Sequence, residues 1–287
     1  MFSSISSTST SFSLNLAQDF NGLWQFSFMR NALIAGSIIA VVAGIVGYFV
    51  VIRRLSFAAH ALSHAGFAGA AGAVLLGLNP LVGLLTFTIS GGMAMGVLGK
   101  KALNRDVQIG TVLAFMLGLG VLFISLYKGY ATEAYSLLFG EILGISRLDV
   151  LVSLIAGGLV LAILLIGYRP LLFSSVDEDV AEAKGVNILG FGLLFMFILA
   201  VTTSIAVQVV GVLLIFALLV TPAAIAERLT KTPGKAIAIS IAVSLSATWL
   251  GLFIAFYEPY PVSFFIISIV FIEYIIARIL SSKRLSF

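Results

Sequence analysis

Long apolar runs alternate with short polar breaks along almost the whole chain. Runs long enough to cross about 30 Å of hydrocarbon fall near 30–52, 57–77, 80–99, 108–127, 149–167, 190–207, 209–226, 236–256 and 262–280. This pattern predicts an all-α, polytopic helical membrane protein with about nine transmembrane helices. Eight is the alternative count, because 190–226 is one apolar stretch that no charge divides. The expected break there lies at Gln208 or Gly211, and a re-entrant pair is the other arrangement.

The polar breaks set the expected orientation. If the spans alternate, thirteen of the sixteen Lys and Arg residues collect on one side, from Arg53, Arg54, Lys100, Lys101 and Arg105 through Arg169, Lys184, Arg228, Lys231 and Lys235 to Arg278, Lys283 and Arg284. The other side receives three, Arg30, Lys128 and Arg147. Basic residues accumulate in cytoplasmic loops, so the N-terminus is expected outside and the C-terminus in the cytoplasm. Residues 1–28 are rich in Ser and Thr and contain no Lys or Arg. They lack the positive start and apolar stretch of a secretory signal. We expect a disordered tail followed by a short interfacial helix, with Trp24, Phe26 and Phe28 at the headgroups. Residues 29–287 are then a single transmembrane domain.

Composition agrees with this reading. Of 287 residues, 61% are hydrophobic and only 10% charged, against about 25% charged in soluble domains; the mean hydropathy is +1.18. The net charge of +4 follows from the loop bias, and no basic stripe interleaved with aromatics supports nucleic-acid binding. The absence of cysteine excludes disulfides and thiolate metal ligands. No loop is long enough to bury a soluble catalytic core. Small residues are frequent within the spans, with Gly66, Gly69 and Gly72 forming a small face on the second.

The longest cytoplasmic segment carries SSVDEDVAEAKGVN, residues 174–187. Ser175 and Glu178 have capping-box spacing. Asp177, Glu178, Asp179 and Glu182 lie in the first turns, where the helix dipole favours acids. Gly185 fits the position just past the helix end. A short helix near 175–185 follows. It is either a solvated loop helix or a docking element for a cytoplasmic partner.

Both histidines of the chain lie in HALSHAGFAGAAGA, residues 60–73. His60 and His64 are four residues apart and share a helix face. For a helix beginning near Phe57, His64 lies about 10 Å along its axis, inside the hydrocarbon, where ionisable groups face a cavity or the bundle interior. Two neutral imidazoles at this spacing can bind one metal ion, and nitrogen and oxygen donors permit zinc, manganese, iron, nickel or copper. Interhelical hydrogen bonding involving Ser63 and its neighbours is the other reading. A zinc protease motif H-E-x-x-H needs its glutamate as base; Ala61 stands there, so hydrolysis is rejected. Glu258, in YEPYPVS, could meet a cation entering from outside, and Glu273, inside the last span, needs a polar partner. Glu227, Glu133 and Glu141 lie in or near loops.

Several of these segments together resemble the permease subunits of bacterial zinc, manganese and iron ABC importers. They are FVVIRRLSFAAHALSHAGFAGAAGAVLLG (49–77), SLLFGEILGIS (136–146), DEDVAEAKGVN (177–187) and VGVLLIFALLVTPAAIAERL (210–229). Their order and spacing match the family over about residues 28–280. The resemblance implies a homodimeric permease with an import pathway at its interface. It also implies two cytoplasmic ATPase subunits docked on the 177–185 helix through Asp177, Glu178, Asp179, Glu182 and Gly185, and an extracytoplasmic metal-binding protein that delivers the ion. ATP hydrolysis would belong to the partner, since this chain has no G-x-x-x-x-G-K-[ST] loop. The chain itself is then no enzyme and holds no permanent cofactor; the metal is cargo. His64 matches the family histidine. His60 stands where the family commonly has Asp, in "GDALSHA", and Glu258 stands in a run that differs from the family's "LDLPSG". Imidazole in place of carboxylate favours zinc over manganese. The alternatives are an ABC permease for a metal chelate and a secondary cation transporter working without an ATPase.

Overall fold

The computed structural model describes residues 24–98, 105–127, 140, 142–258 and 260–284. The expected tail over residues 1–18, and Glu133, Glu141, Lys100, Lys101 and Lys128, lie outside them. Among the described residues the chain forms eleven α-helices and one short 3-10 turn, Ile142–Gly144. Nine helices are long: α1 (Ser27–Ile52), α2 (Ser56–Leu75), α3 (Pro80–Leu98), α4 (Arg105–Leu126), α5 (Arg147–Ile166), α8 (Ile188–Val210), α9 (Val212–Leu229), α10 (Pro233–Tyr257) and α11 (Val262–Arg284). Two short ones, α6 (Tyr168–Val176) and α7 (Glu178–Ala183), join α5 to α8.

Side-chain contacts fix how the helices run. The Asn31 amide near the start of α1 donates to the Ile145 carbonyl at 3.0 Å, and Arg53 at its end reaches α6. Gly69 of α2 meets Gly83 of α3, and Gly120 of α4 lies against Ala68. Thr88 of α3 pairs with Ser204 of α8 at 2.6 Å. Leu219 of α9 backs onto Gly47 of α1, Thr248 of α10 onto Gly36, and Ile266 of α11 onto Gly251. Each long helix therefore reverses the one before it. One end of the bundle gathers Arg53, Arg105, α6 and α7; the other gathers Gly140, residues 142–146, Gly211 and Glu258.

The nine expected spans correspond to the nine long helices. The undivided 190–226 stretch breaks at Gly211, whose φ of 85° suits glycine. Gln208 stays helical and donates to Asp149 at 2.8 Å. Eight of the long helices have the length and hydropathy of a membrane span. The exception is α2, diluted by two histidines and many small residues; it can be less apolar because its neighbours cover it, with Ala58, Ala61, Leu62, Ala65 and Ala68 wholly buried. Lipid-facing side chains lie instead on α4, α5 and α11, as Phe115, Ile155 and Phe271 illustrate.

The short helices differ from the sequence expectation. The capping box at Ser175 and Glu178 does not form. Asp177 caps α7 instead, accepting from the Val180 amide at 3.0 Å, because the Ser175 hydroxyl lies inside α6 and is engaged by Leu171 and Arg53. The C-terminal end follows the expected glycine rule: Gly185 has φ 83°, its amide donates to Glu182 O at 2.8 Å, and the Val186 amide donates to Ala181 O at 3.0 Å.

Helices α2 and α3 touch backbone to backbone. A methyl group added at Gly69 would overlap the Gly83 carbonyl oxygen, and one at Gly83 would overlap the Gly69 carbonyl oxygen. Gly69→Val is therefore expected to push α3 away and to destabilise the chain by about 1–3 kcal/mol or more. A lower unfolding temperature in detergent would register this, and an unchanged one would mean that the contact is loose.

Candidate metal site on the second helix

The small residues of α2 let α3, α4 and α8 approach closely and leave one face of the helix for its two large polar side chains. His60 and His64 stand on that face, both half-buried. Their ring centroids are 4.6 Å apart with the planes inclined at 77°. The Phe216 ring of α9 lies edge-on to His60, with centroids 5.0 Å apart. Among the described residues neither imidazole makes a hydrogen bond, and the hydroxyl of Ser63 is spent on the Ala59 carbonyl at 3.0 Å. The interhelical hydrogen-bond reading through Ser63 thus finds no bond to rest on, and the ring nitrogens are free to act as donors to a ligand.

The surroundings are apolar and only partly closed. Along α9, Leu213 is exposed, and Phe216, Ala217, Val220, Thr221 and Ala224 are half-buried. These positions recur at helical spacing and form an uncovered stripe beside the histidines. On the far side of α2, hydroxyls of Thr88 and Ser204 bond each other between α3 and α8, polar glue that holds helices together in lipid.

The two glutamates do not join the pair. Glu258 is exposed just beyond the end of α10. Glu273, on α11, accepts a hydrogen bond from the Ser246 hydroxyl of α10 at 2.8 Å, and its second carboxylate oxygen is buried with no hydrogen-bond partner among the described residues. Among the described residues no three His, Cys, Asp or Glu side chains gather into a metal-holding group. Within one chain, the donors that sequence reasoning brought together are the two imidazoles alone. Phe216 was missed, since its approach from α9 is a long-range packing event with no local signal.

At the Arg53 end of the bundle, α7 packs against its neighbours through one side chain. Ala181 is fully buried and anchors it. Asp177, Glu178, Asp179, Val180, Glu182, Lys184 and Gly185 are exposed, so a short acidic helix is presented to an outside surface. Lys184 sits over the Phe173 ring at 5.7 Å.

Comparison with known proteins agrees with this architecture. Residues 25–281 match the model of the ABC 3 transport family. The manganese import system permease protein ScaB of Streptococcus gordonii is 37% identical over 243 residues, covering 84% of this chain and 87% of that protein. The high-affinity zinc uptake system membrane protein ZnuB of Haemophilus influenzae is 29% identical over 235 residues, covering 81% of this chain and 90% of that protein. A solved structure of PsaBC from Streptococcus pneumoniae in complex with Fab superposes with a TM-score of 0.81 at 31% identity, covering 91% of this chain and 94% of the other. Together with its long apolar helices, these similarities establish that the chain belongs to the ABC 3 transport family and is a multi-pass plasma-membrane permease of an ABC transporter.

Proposed function

We propose that this permease imports a divalent transition-metal ion, with zinc favoured and manganese or iron as the other candidates. The observation that carries the reading is the pair of adjacent imidazoles within a membrane helix, next to an uncovered stripe of α9. Neutral imidazoles suit zinc better than manganese, which prefers oxygen donors. Relatives named for manganese and for zinc both match this chain, so similarity does not choose between the two ions, and the preference for zinc rests on His60 standing where the family commonly has Asp. The ion meets His60 and His64 in transit and is held weakly enough to leave.

Two copies of the chain meet along the α9 stripe, so that the histidines of both line a shared pathway. An extracytoplasmic metal-binding protein delivers the ion at the Glu258 end, where Glu258 attracts it. Two cytoplasmic ATPase subunits dock at the other end on α7, through Asp177, Glu178, Asp179 and Glu182, with Gly185 closing the helix. The excess of basic residues at that end supports a cytoplasmic side there, with the N-terminus outside and residues 29–287 as one permease domain. Glu273 lies away from the histidines and serves as a secondary cation contact on α11.

The test is uptake of labelled zinc and manganese by cells that express the chain with its cognate ATPase and binding protein. ATP-dependent uptake of zinc, outcompeting manganese, is the expected result. Preferential manganese uptake would overturn the zinc assignment, and transport of neither ion would leave iron or a metal chelate as the cargo.

A further inference from the structure

Two consecutive arginines follow α1, and they behave differently. Arg54 is exposed, with φ 55°. It supplies positive charge at the membrane edge at no desolvation cost. Arg53 turns inward. Its Nε donates to the Ser175 hydroxyl at 2.7 Å, and its Nη2 donates to the Ser174 hydroxyl at 2.5 Å and to the Leu171 carbonyl at 3.3 Å. The guanidinium also lies over the Phe195 ring of α8, 5.2 Å from its centroid. Burial pushes its pKa down to about 10, so it stays charged at neutral pH. Arg53 is half-buried, so its charge gives up part of its hydration, and topology alone does not require that, because Arg54 already provides the loop charge.

The location of these contacts suggests what the cost achieves. Ser174 and Ser175 form the last turn of α6. The next residue but one, Asp177, closes α6 and caps α7. A shift of α7 must therefore displace this turn. On the other side, Arg53 belongs to a tight turn in which the Arg54 amide bonds Val51 O at 3.0 Å and the Leu55 amide bonds Val50 O at 2.8 Å. Leu55 is buried and its carbonyl accepts from the Ala59 amide at 2.9 Å, the first turn of α2. His60 follows one residue later. A planar fork that holds two hydroxyls and a carbonyl transmits direction as well as force, which a flexible ammonium does not.

We infer that Arg53 is a positioning residue that couples movement of the exposed acidic helix α7 to the histidine-bearing helix α2. This rests on the proposed docking of an ATPase at α7. It makes the last turn of α6 and the α1–α2 turn one mechanical unit, through which ATP-driven motion reaches the metal pathway.

The test uses the complete transporter with its ATPase and binding protein. Arg53→Ala is expected to lower ATP-dependent metal uptake by about tenfold or more, the scale of a typical coupling free energy, while ATP hydrolysis by the assembled complex stays within about twofold, the signature of hydrolysis uncoupled from transport. Arg53→Lys restores part of the uptake, and Ser174→Ala with Ser175→Ala reproduces the loss without touching the arginine. A readout independent of cargo comes from Ser56→Cys, a lone thiol in a chain without cysteine. ATP is expected to change its labelling rate in the Arg53 protein and not in the Arg53→Ala protein. Wild-type uptake in Arg53→Ala overturns the inference, and so does a parallel loss of uptake and hydrolysis, which marks a merely structural role. If the unaltered transporter moves no metal ion, the cargo assignment fails and the thiol labelling alone decides the coupling: an ATP response that survives Arg53→Ala overturns it.

Discussion

His64→Ala is expected to abolish ATP-driven metal uptake at normal expression, and His60→Asp to move the preference from zinc toward manganese. The two rings are 4.6 Å apart at their centroids, close enough to share one ion or to pass it along one turn of helix. Loss of an outer-sphere partner alone costs roughly 10–100-fold in metal affinity, and removal of one of two donors costs at least as much. The rings have apolar company and no hydrogen bond among the described residues. Alanine in their place therefore breaks no hydrogen bond among the described residues and leaves α2 folded on its buried side. That separates the ligand role from a packing role. Restoring an oxygen donor at position 60 makes the site more hospitable to manganese. The decisive measurement is competitive uptake of the two labelled ions by His64→Ala, His60→Asp and unaltered protein, with surface expression matched. Equal transport by His64→Ala would make the histidine a packing residue and send the search for the pathway elsewhere.

Most of the fold could be read from the sequence because a bilayer imposes a coarse rule. Backbone groups in lipid must bond within their own helix, so each apolar run of the right length becomes a crossing. The His60 and His64 pairing was legible for a similar reason, since four-residue spacing fixes a shared face whatever surrounds it. What could not be read depends on packing between distant segments. The helix α6 comes from YRPLLFSSV, nine residues with no long apolar run, and it is held by the burial of Leu171 and Ser174. Arg53 reads in the sequence as half of a topological charge pair; only the position of α6 shows that its side chain turns inward. Ser175 resembles a helix cap locally and loses that role to Asp177 because its hydroxyl already has partners. The separation of Glu258 and Glu273 from the histidines is likewise set by which helices neighbour one another, and no local pattern encodes it.

Reversing the charge on α7, with Glu178→Lys, Asp179→Lys and Glu182→Lys together, is expected to detach the ATPase while the permease remains folded. The three side chains are exposed, and the fold rests on the other side of the helix, where Ala181 is fully buried. Lysines at 178 and 179, in the first turn, cost about 0.3–1 kcal/mol each through the dipole, while one at 182 lies in the last turn and carries no such cost; the Asp177 cap and the Gly185 closure both remain. A docking partner with a complementary basic surface would feel a change of six charge units on a helix of six residues. Juxtaposed like charges cost several kcal/mol, enough to lower association by about a hundredfold or more. The corresponding glutamine and asparagine variants remove attraction without adding repulsion, so they weaken binding less and make it less sensitive to salt. Co-purification of the ATPase with each variant, at low and high ionic strength, separates these effects. Retention of the ATPase by the triple lysine variant would mean that α7 is a solvated loop helix and that the ATPase binds elsewhere. Release by the lysine variant together with salt-weakened binding of the unaltered chain would identify α7 as the acidic half of an electrostatic docking contact, and the apolar Val180 at its centre, 44% exposed, as the next residue to change.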